Sequence, residues 1–246
     1  MSEIKFPSEC VDLPSGGRLY PSDSPLHSGK VEMFYMTAKH EDILTNQNFI
    51  ERGVVIDKLL QELIVDKSIP YDQLLIGDKN ALLIAARIMG YGEQYTFDYN
   101  GRKETVNLAE LCNKPLHEDI LAATENCFTF ELPASGRTVT FKLLTHGDEQ
   151  KIEQELKGLS KIQKDVSADL STRIKYTILS VDGNSDRAYI RSFVDKELLA
   201  RDSRALRQYI VKIQPDIDLK FFPEDGPEEG VPMPMTAQFL WPDIAD

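Results

Sequence analysis

The pattern of apolar and polar positions divides the 246-residue chain into short strand-like and helix-like segments. Val31-Glu32-Met33-Phe34-Tyr35-Met36 reads as a strand. Thr37 then fits a helix N-cap, with Glu41 and Asp42 near the positive end of the helix it opens. Ile43, Leu44, Phe49 and Ile50 supply apolar surface to that region. Residues 54–65 repeat Ile56, Leu59, Leu60 and Leu63 at helical spacing, which predicts a second helix. Asp78 is placed to cap a third helix over 79–89, closed by Gly90. That segment has almost no polar face, so it is expected at the centre of the core, and Leu83→Ala or Ile84→Ala is expected to be costly.

Two hairpins follow. Residues 95–99 and 104–108 flank Asn100-Gly101, the pair that suits the positive backbone angles of a type I′ turn. Residues 128–132 and 138–144 flank a longer turn at 133–137. Thr145 or Asp148 then caps an acidic helix start, with Ile152, Leu156, Leu159 and Val166, and Gln163 among them, on one stripe. Beyond it, Leu170, Ile174, Thr177, Ile178 and Val181 read as one helical stripe ending at Asp182-Gly183-Asn184. Residues 185–193 read as a short helix or turn, and Ser203 opens a last helix with Leu206, Ile210 and Ile213 inside and Pro215 as its stop.

The expected class is therefore α+β: a mixed helix and β-hairpin core, a helical C-terminal part, and extended segments at both ends. The division is 1–30 as a Pro- and Gly-rich arm, 31–168 as the core with two hairpins, 169–222 as the helical part, and 223–246 as a Pro/aromatic tail. The arm reads equally as a partner-binding segment or a loose terminus. In the tail, Phe239, Leu240 and Trp241 must pack either on their own domain or on a partner; as an interface, Trp241→Ala would weaken assembly more than folding. Leu19 and Tyr20 are the corresponding candidates in the arm.

One internal similarity stands out. Leu13-Pro14-Ser15-Gly16-Gly17-Arg18 resembles Leu132-Pro133-Ala134-Ser135-Gly136-Arg137, and each is followed by an apolar strand and a Thr-started acidic helix opening. This suggests one strand–turn–strand–helix unit used twice, or a chance match between turns.

Charge narrows the functional classes. Forty acidic against 28 basic residues give a formal net charge of −12, which disfavours binding to phosphate backbones. No apolar run approaches the ~20 residues of a membrane span, the stretch 81–89 being interrupted by Arg87. Cys10, Cys112 and Cys127 are few and widely spaced, as in a reducing cytoplasm. His27, His40, His117 and His146 show no metal-ligand spacing, so neither metal nor cofactor is expected. Leu75-Ile76-Gly77-Asp78-Lys79-Asn80 lacks the glycines and Lys-Ser/Thr pair of a P-loop and reads as a helix cap. Glu224, Asp225, Glu228 and Glu229 match no calcium-loop register.

Three stretches resemble a known family: Leu13-Pro14-Ser15-Gly16-Gly17-Arg18-Leu19-Tyr20-Pro21, Met36-Thr37-Ala38-Lys39-His40-Glu41-Asp42-Ile43-Leu44, and Leu75-Ile76-Gly77-Asp78-Lys79-Asn80-Ala81-Leu82-Leu83-Ile84-Ala85-Ala86-Arg87. Together they look like the baseplate hub assembly proteins of T-even-like myophages. Residues 172–178 and 186–219, with the closing Phe239-Leu240-Trp241-Pro242-Asp243, are similar to other phage tail and baseplate assembly proteins. Some such proteins carry a cysteine pair before the terminal aromatics, which residues 222–235 lack. The resemblance implies a non-enzymatic protein acting in the host bacterial cytoplasm on other hub or tail proteins, with no nucleic acid and no membrane insertion; a homo-oligomer is allowed. It leaves open a permanent subunit of the hub in the virion. A cell-wall hydrolase is the rival from another class, though no acid/base pair is recognisable.

Overall fold

A computed structural model describes residues 7–162, 168–223, 225–235 and 239–241. The fold is α+β, with helices packed on small antiparallel sheets. Strand β1 (Ser8–Asp12) pairs antiparallel with β2 (Lys30–Phe34). Helices α1 (Ala38–Leu44), α2 (Gln47–Glu51) and α3 (Val55–Leu63) follow. The chain then returns to the free edge of β2, where Ile64 bridges Met33 and the Val65 N–H donates to the Glu32 carbonyl. Helix α4 (Ile76–Tyr91) completes this first unit. None of its residues is exposed, as the apolar circumference predicts.

The hairpin β3 (Gln94–Tyr99) and β4 (Arg102–Asn107) leads through α5 (Glu118–Ala122) to a second unit. Asn100 and Gly101 both have positive φ (50° and 78°), as a type I′ turn requires. Strand β5 (Phe128–Glu131) pairs with β6 (Thr138–Phe141), and after α6 (His146–Ile162) and α7 (Asp169–Thr177) strand β7 (Ile178–Val181) joins the other edge of β6. Helices α8 (Arg187–Lys196) and α9 (Ala200–Ile213) close the unit. Asp186 caps α8 by accepting the Tyr189 N–H at 2.9 Å. Strands β8 (Lys220–Phe221) and β9 (Val231–Pro232) form a last short pair.

The internal similarity is structural. In each unit a hairpin built on the Leu-Pro turn is widened by a third strand segment, at residues 64–65 or β7, and closed by a helix whose first turn carries a buried aspartate.

Several expectations are corrected. Residues 7–30 are not a separate extended arm: residues 8–12 are paired in a sheet, and Leu13, Leu19, Tyr20 and Leu26 are buried. The tail is not separate either, because one contiguous core runs from Leu13 to Leu240. The stripe through Leu170 and Val181 is not one helix. It breaks at Ile178, where β-branched Ile178 and Val181 enter the sheet beside β6, leaving Leu170 exposed. Helix α9 begins before Ser203, which is buried in its first turn. Gln163, Val166 and Glu224 lie outside the described residues.

Candidate functional site

Asp78 is not a helix cap. Leu75 holds that position, and Asp78 sits in the first turn of α4, fully buried and bonded to the first Leu-Pro turn. Its Oδ1 accepts the Ser15 N–H at 2.9 Å, and its Oδ2 accepts the hydroxyls of Ser15 at 2.7 Å and Tyr20 at 2.6 Å. Tyr20 Oη in turn accepts the Leu75 N–H at 2.9 Å. Burial pushes the Asp78 carboxyl upward, and the hydrogen bonds from Tyr20 and Ser15 offset this only in part. Burial and the neighbouring carboxylate also raise the Tyr20 phenol, which keeps it a donor.

The second unit repeats the device. Asp202, in the first turn of α9 and fully buried, accepts the Ala134 N–H at 2.6 Å and the Ser135 N–H at 3.1 Å. Each aspartate closes a Leu-Leu-x-x-Asp sequence, Leu74-Leu75-Ile76-Gly77-Asp78 and Leu198-Leu199-Ala200-Arg201-Asp202. That second repeated motif is the signal by which sequence reading could have found both aspartates.

Where the units meet, Leu75 bridges Thr145, the His146 N–H donates to the Leu74 carbonyl, and a polar cluster forms. Lys79 Nζ reaches Asp57 Oδ1 at 2.6 Å and His146 Nδ1 at 3.1 Å. Lysine has no acceptor, so Nδ1 of His146 accepts from it, and His146 Nε2 lies 3.3 Å from Asp57 Oδ2. The Gln150 side-chain amide stands 2.9 Å from the same nitrogen, and the Tyr71 hydroxyl donates to Asp57 Oδ1 at 3.1 Å. Burial raises the Asp57 carboxyl, but the hydrogen bonds from His146 and Lys79 outweigh it and hold the group at about 2. Both carboxylate oxygens and both ring nitrogens are thus occupied within the chain. The cluster holds the two units together and presents no free base to a substrate.

The other histidines have local partners as well. His27 Nδ1 lies 3.1 Å from the Tyr20 carbonyl oxygen, His40 Nδ1 accepts the Thr37 N–H at 3.0 Å, and His117 Nδ1 accepts the Asp119 N–H at 3.3 Å. Among the described residues, no group of three His, Cys, Asp or Glu is arranged to hold a metal, and no helix is long and apolar enough to cross a membrane.

Of the expected partner-binding residues, Leu19, Tyr20, Phe239 and Leu240 are buried in the chain's own core and Trp241 is half-buried. Phe239 packs edge-on against Tyr95 with ring centroids 4.9 Å apart. Trp241 donates its Nε1–H to the Leu44 carbonyl at 2.9 Å. Residues 19–23 border an open cleft of about 530 Å³ between the units, shared with Gln73, Asn126, Lys142 and Thr145. Lys142 is bound to both oxygens of Asp148, at 2.8 and 2.6 Å. No known protein family, curated protein or solved structure matches this chain.

Proposed function

We propose that the chain is a non-enzymatic phage tail protein that promotes assembly of the baseplate central hub through contacts with other hub or tail proteins, in the cytoplasm of the infected bacterium. The observation that carries this reading is the convergence of the three stretches that resemble hub assembly proteins. Residues 13–21 supply the turn and Tyr20, residues 75–87 supply Asp78 and most of α4, and the two are joined by three hydrogen bonds to one carboxylate. Residues 36–44 supply α1, whose terminal Leu44 receives the Trp241 indole. Two stretches far apart in sequence that each resemble the same family are thus bonded to one another, which is what supports the reading. The internal use of the His146–Asp57–Lys79 cluster favours a binding role over catalysis.

The test is affinity capture of the tagged chain from infected cells, with the bound proteins identified. Baseplate hub or tail proteins are expected among them, and their absence overturns the proposal. Purified particles separate an assembly factor, which is missing from them, from a permanent hub subunit, which is present at fixed stoichiometry.

A further inference from the structure

We propose that the outward face of α9 docks an extended acidic segment of a protein partner. Arg201, Arg204, Arg207 and Lys212 are all exposed on this helix. At 100° per residue they fall, with Val211, on one arc of its surface. Val211 is 69% exposed and Leu199, at the helix start, 50%. No acidic residue lies on that arc: Asp202, the helix's acid, points inward to the Leu-Pro turn. Of the neighbouring acids, Glu197 pairs with Arg137, Asp195 pairs with Lys175, and Asp119 accepts the Tyr209 hydroxyl beside the arc. None of the four cations pairs with a carboxylate among the described residues. In a chain with 40 acidic and 28 basic residues, such an arc is unusual.

Helix stability does not account for it. Arg201 and Arg204 lie at the positive end of the helix dipole, and the spacing 201, 204, 207 sets like charges three residues apart. Both arrangements oppose the helix, so the charges serve something outside it.

The first unit indicates what kind of occupant fits. Aligned on the two buried aspartates, Arg201 and Arg204 match Gly77 and Asn80 of α4. On α4 those positions are covered by the extended stretch 215–217: the Pro215 carbonyl packs on Gly77, and Asp216 Oδ1 accepts from Asn80 Nδ2 at 3.1 Å. The same helix face thus carries an extended strand with a carboxylate in one unit and stands open in the other. From Arg201 to Lys212 the arc runs about 16 Å, the reach of about five extended residues. Arginine forks suit carboxylates, and Val211 and Leu199 suit the apolar side chains between them. A second copy is disfavoured by repulsion between chains of net charge −12, and a nucleic acid by the same overall charge. The inference is independent of which assembly the chain serves.

The test uses a fluorescein-labelled peptide of alternating glutamate and leucine as probe, with fluorescence anisotropy as readout. The expected result is binding that weakens as salt is raised, and that falls at least about tenfold in R201E/R204E/R207E while that variant unfolds at the wild-type urea concentration. A K58E variant, at an exposed position of α3 in the first unit, should bind as the wild type does. Equal binding by the triple variant overturns the proposal. So does tighter binding of duplex DNA than of the peptide, or a homodimer in sedimentation that the triple variant dissolves.

Discussion

The Asp202 carboxylate accepts the backbone N–H of Ala134 at 2.6 Å, across 68 residues of sequence. Its other oxygen takes the Ser135 N–H, so one buried side chain fixes the tip of a hairpin against the start of a helix. Asp202→Ala removes two hydrogen bonds to an exposed hairpin tip that water can then reach, at about 0.5–1.5 kcal/mol each. The expected loss is about 1–3 kcal/mol in urea unfolding, with Asp202→Asn less damaging because one acceptor remains. A wild-type midpoint for the alanine variant would show that the contact is dispensable.

Much of the fold was legible locally, and what was missed depends on partners distant in sequence. Thr37, Asn100-Gly101 and the apolar circumference of α4 announce themselves within a few residues. Asp78 resembles a cap because it precedes an apolar run, and only the folded position of Ser15 and Tyr20 reveals its role. Ile178 and Val181 fit a helical stripe as well as a strand, and the free edge of β6 decides between them. The Pro-rich ends leave packing on the chain's own domain or on a partner open, because proline excludes only regular pairing, and Leu19 and Phe239 are buried from irregular segments. Of the candidate site, the polar cluster was not legible: Asp57, Lys79 and His146 come from three helices with no shared motif.

Two glycines in helices should respond oppositely to alanine. A Cβ at Gly77 would stand 1.9 Å from the Pro215 carbonyl oxygen, a backbone atom that cannot rotate aside. Gly77→Ala should therefore lose about 1–3 kcal/mol or more, as overpacking does. Gly158, inside α6, has nothing within 4 Å of that position, so Gly158→Ala should gain up to about 1 kcal/mol. Thermal melting of the two variants checks both signs.

Acid should weaken the seam between the units through Asp57. Its carboxyl falls from an ordinary value of 3.8 to about 2 in the folded chain. A lowered value contributes stability that is present above the unfolded value and is lost as pH falls through the folded one. The stability difference between wild type and Asp57→Asn should thus be full near neutrality and shrink between about pH 4 and pH 2. Asp78 acts with the opposite sign: its raised carboxyl favours the folded state below the unfolded value, and that contribution is lost as pH rises. A difference that grew in acid would contradict the bonding given to Asp57.

The C-terminal aromatics should matter to folding itself. Phe239 lies against Tyr95, and the Tyr95 hydroxyl donates to the Pro234 carbonyl at 2.9 Å, so the tail and the β3–β4 hairpin hold each other from both sides. Phe221 adds a second contact, edge-on to Phe97 and Tyr99 at 4.9 and 5.0 Å. Truncating a buried phenylalanine typically costs about 3–5 kcal/mol, much of it from the cavity that remains. Phe239→Ala should therefore lower the urea midpoint sharply, and Trp241→Ala less so, since its ring is only half-buried and its main bond is to the Leu44 carbonyl. Phe222 is the control: it is 69% exposed, and Phe222→Ala should change stability by no more than about 0.5 kcal/mol. If Phe239→Ala unfolds where the wild type does, the tail is not part of the core and its aromatics are free for a partner after all.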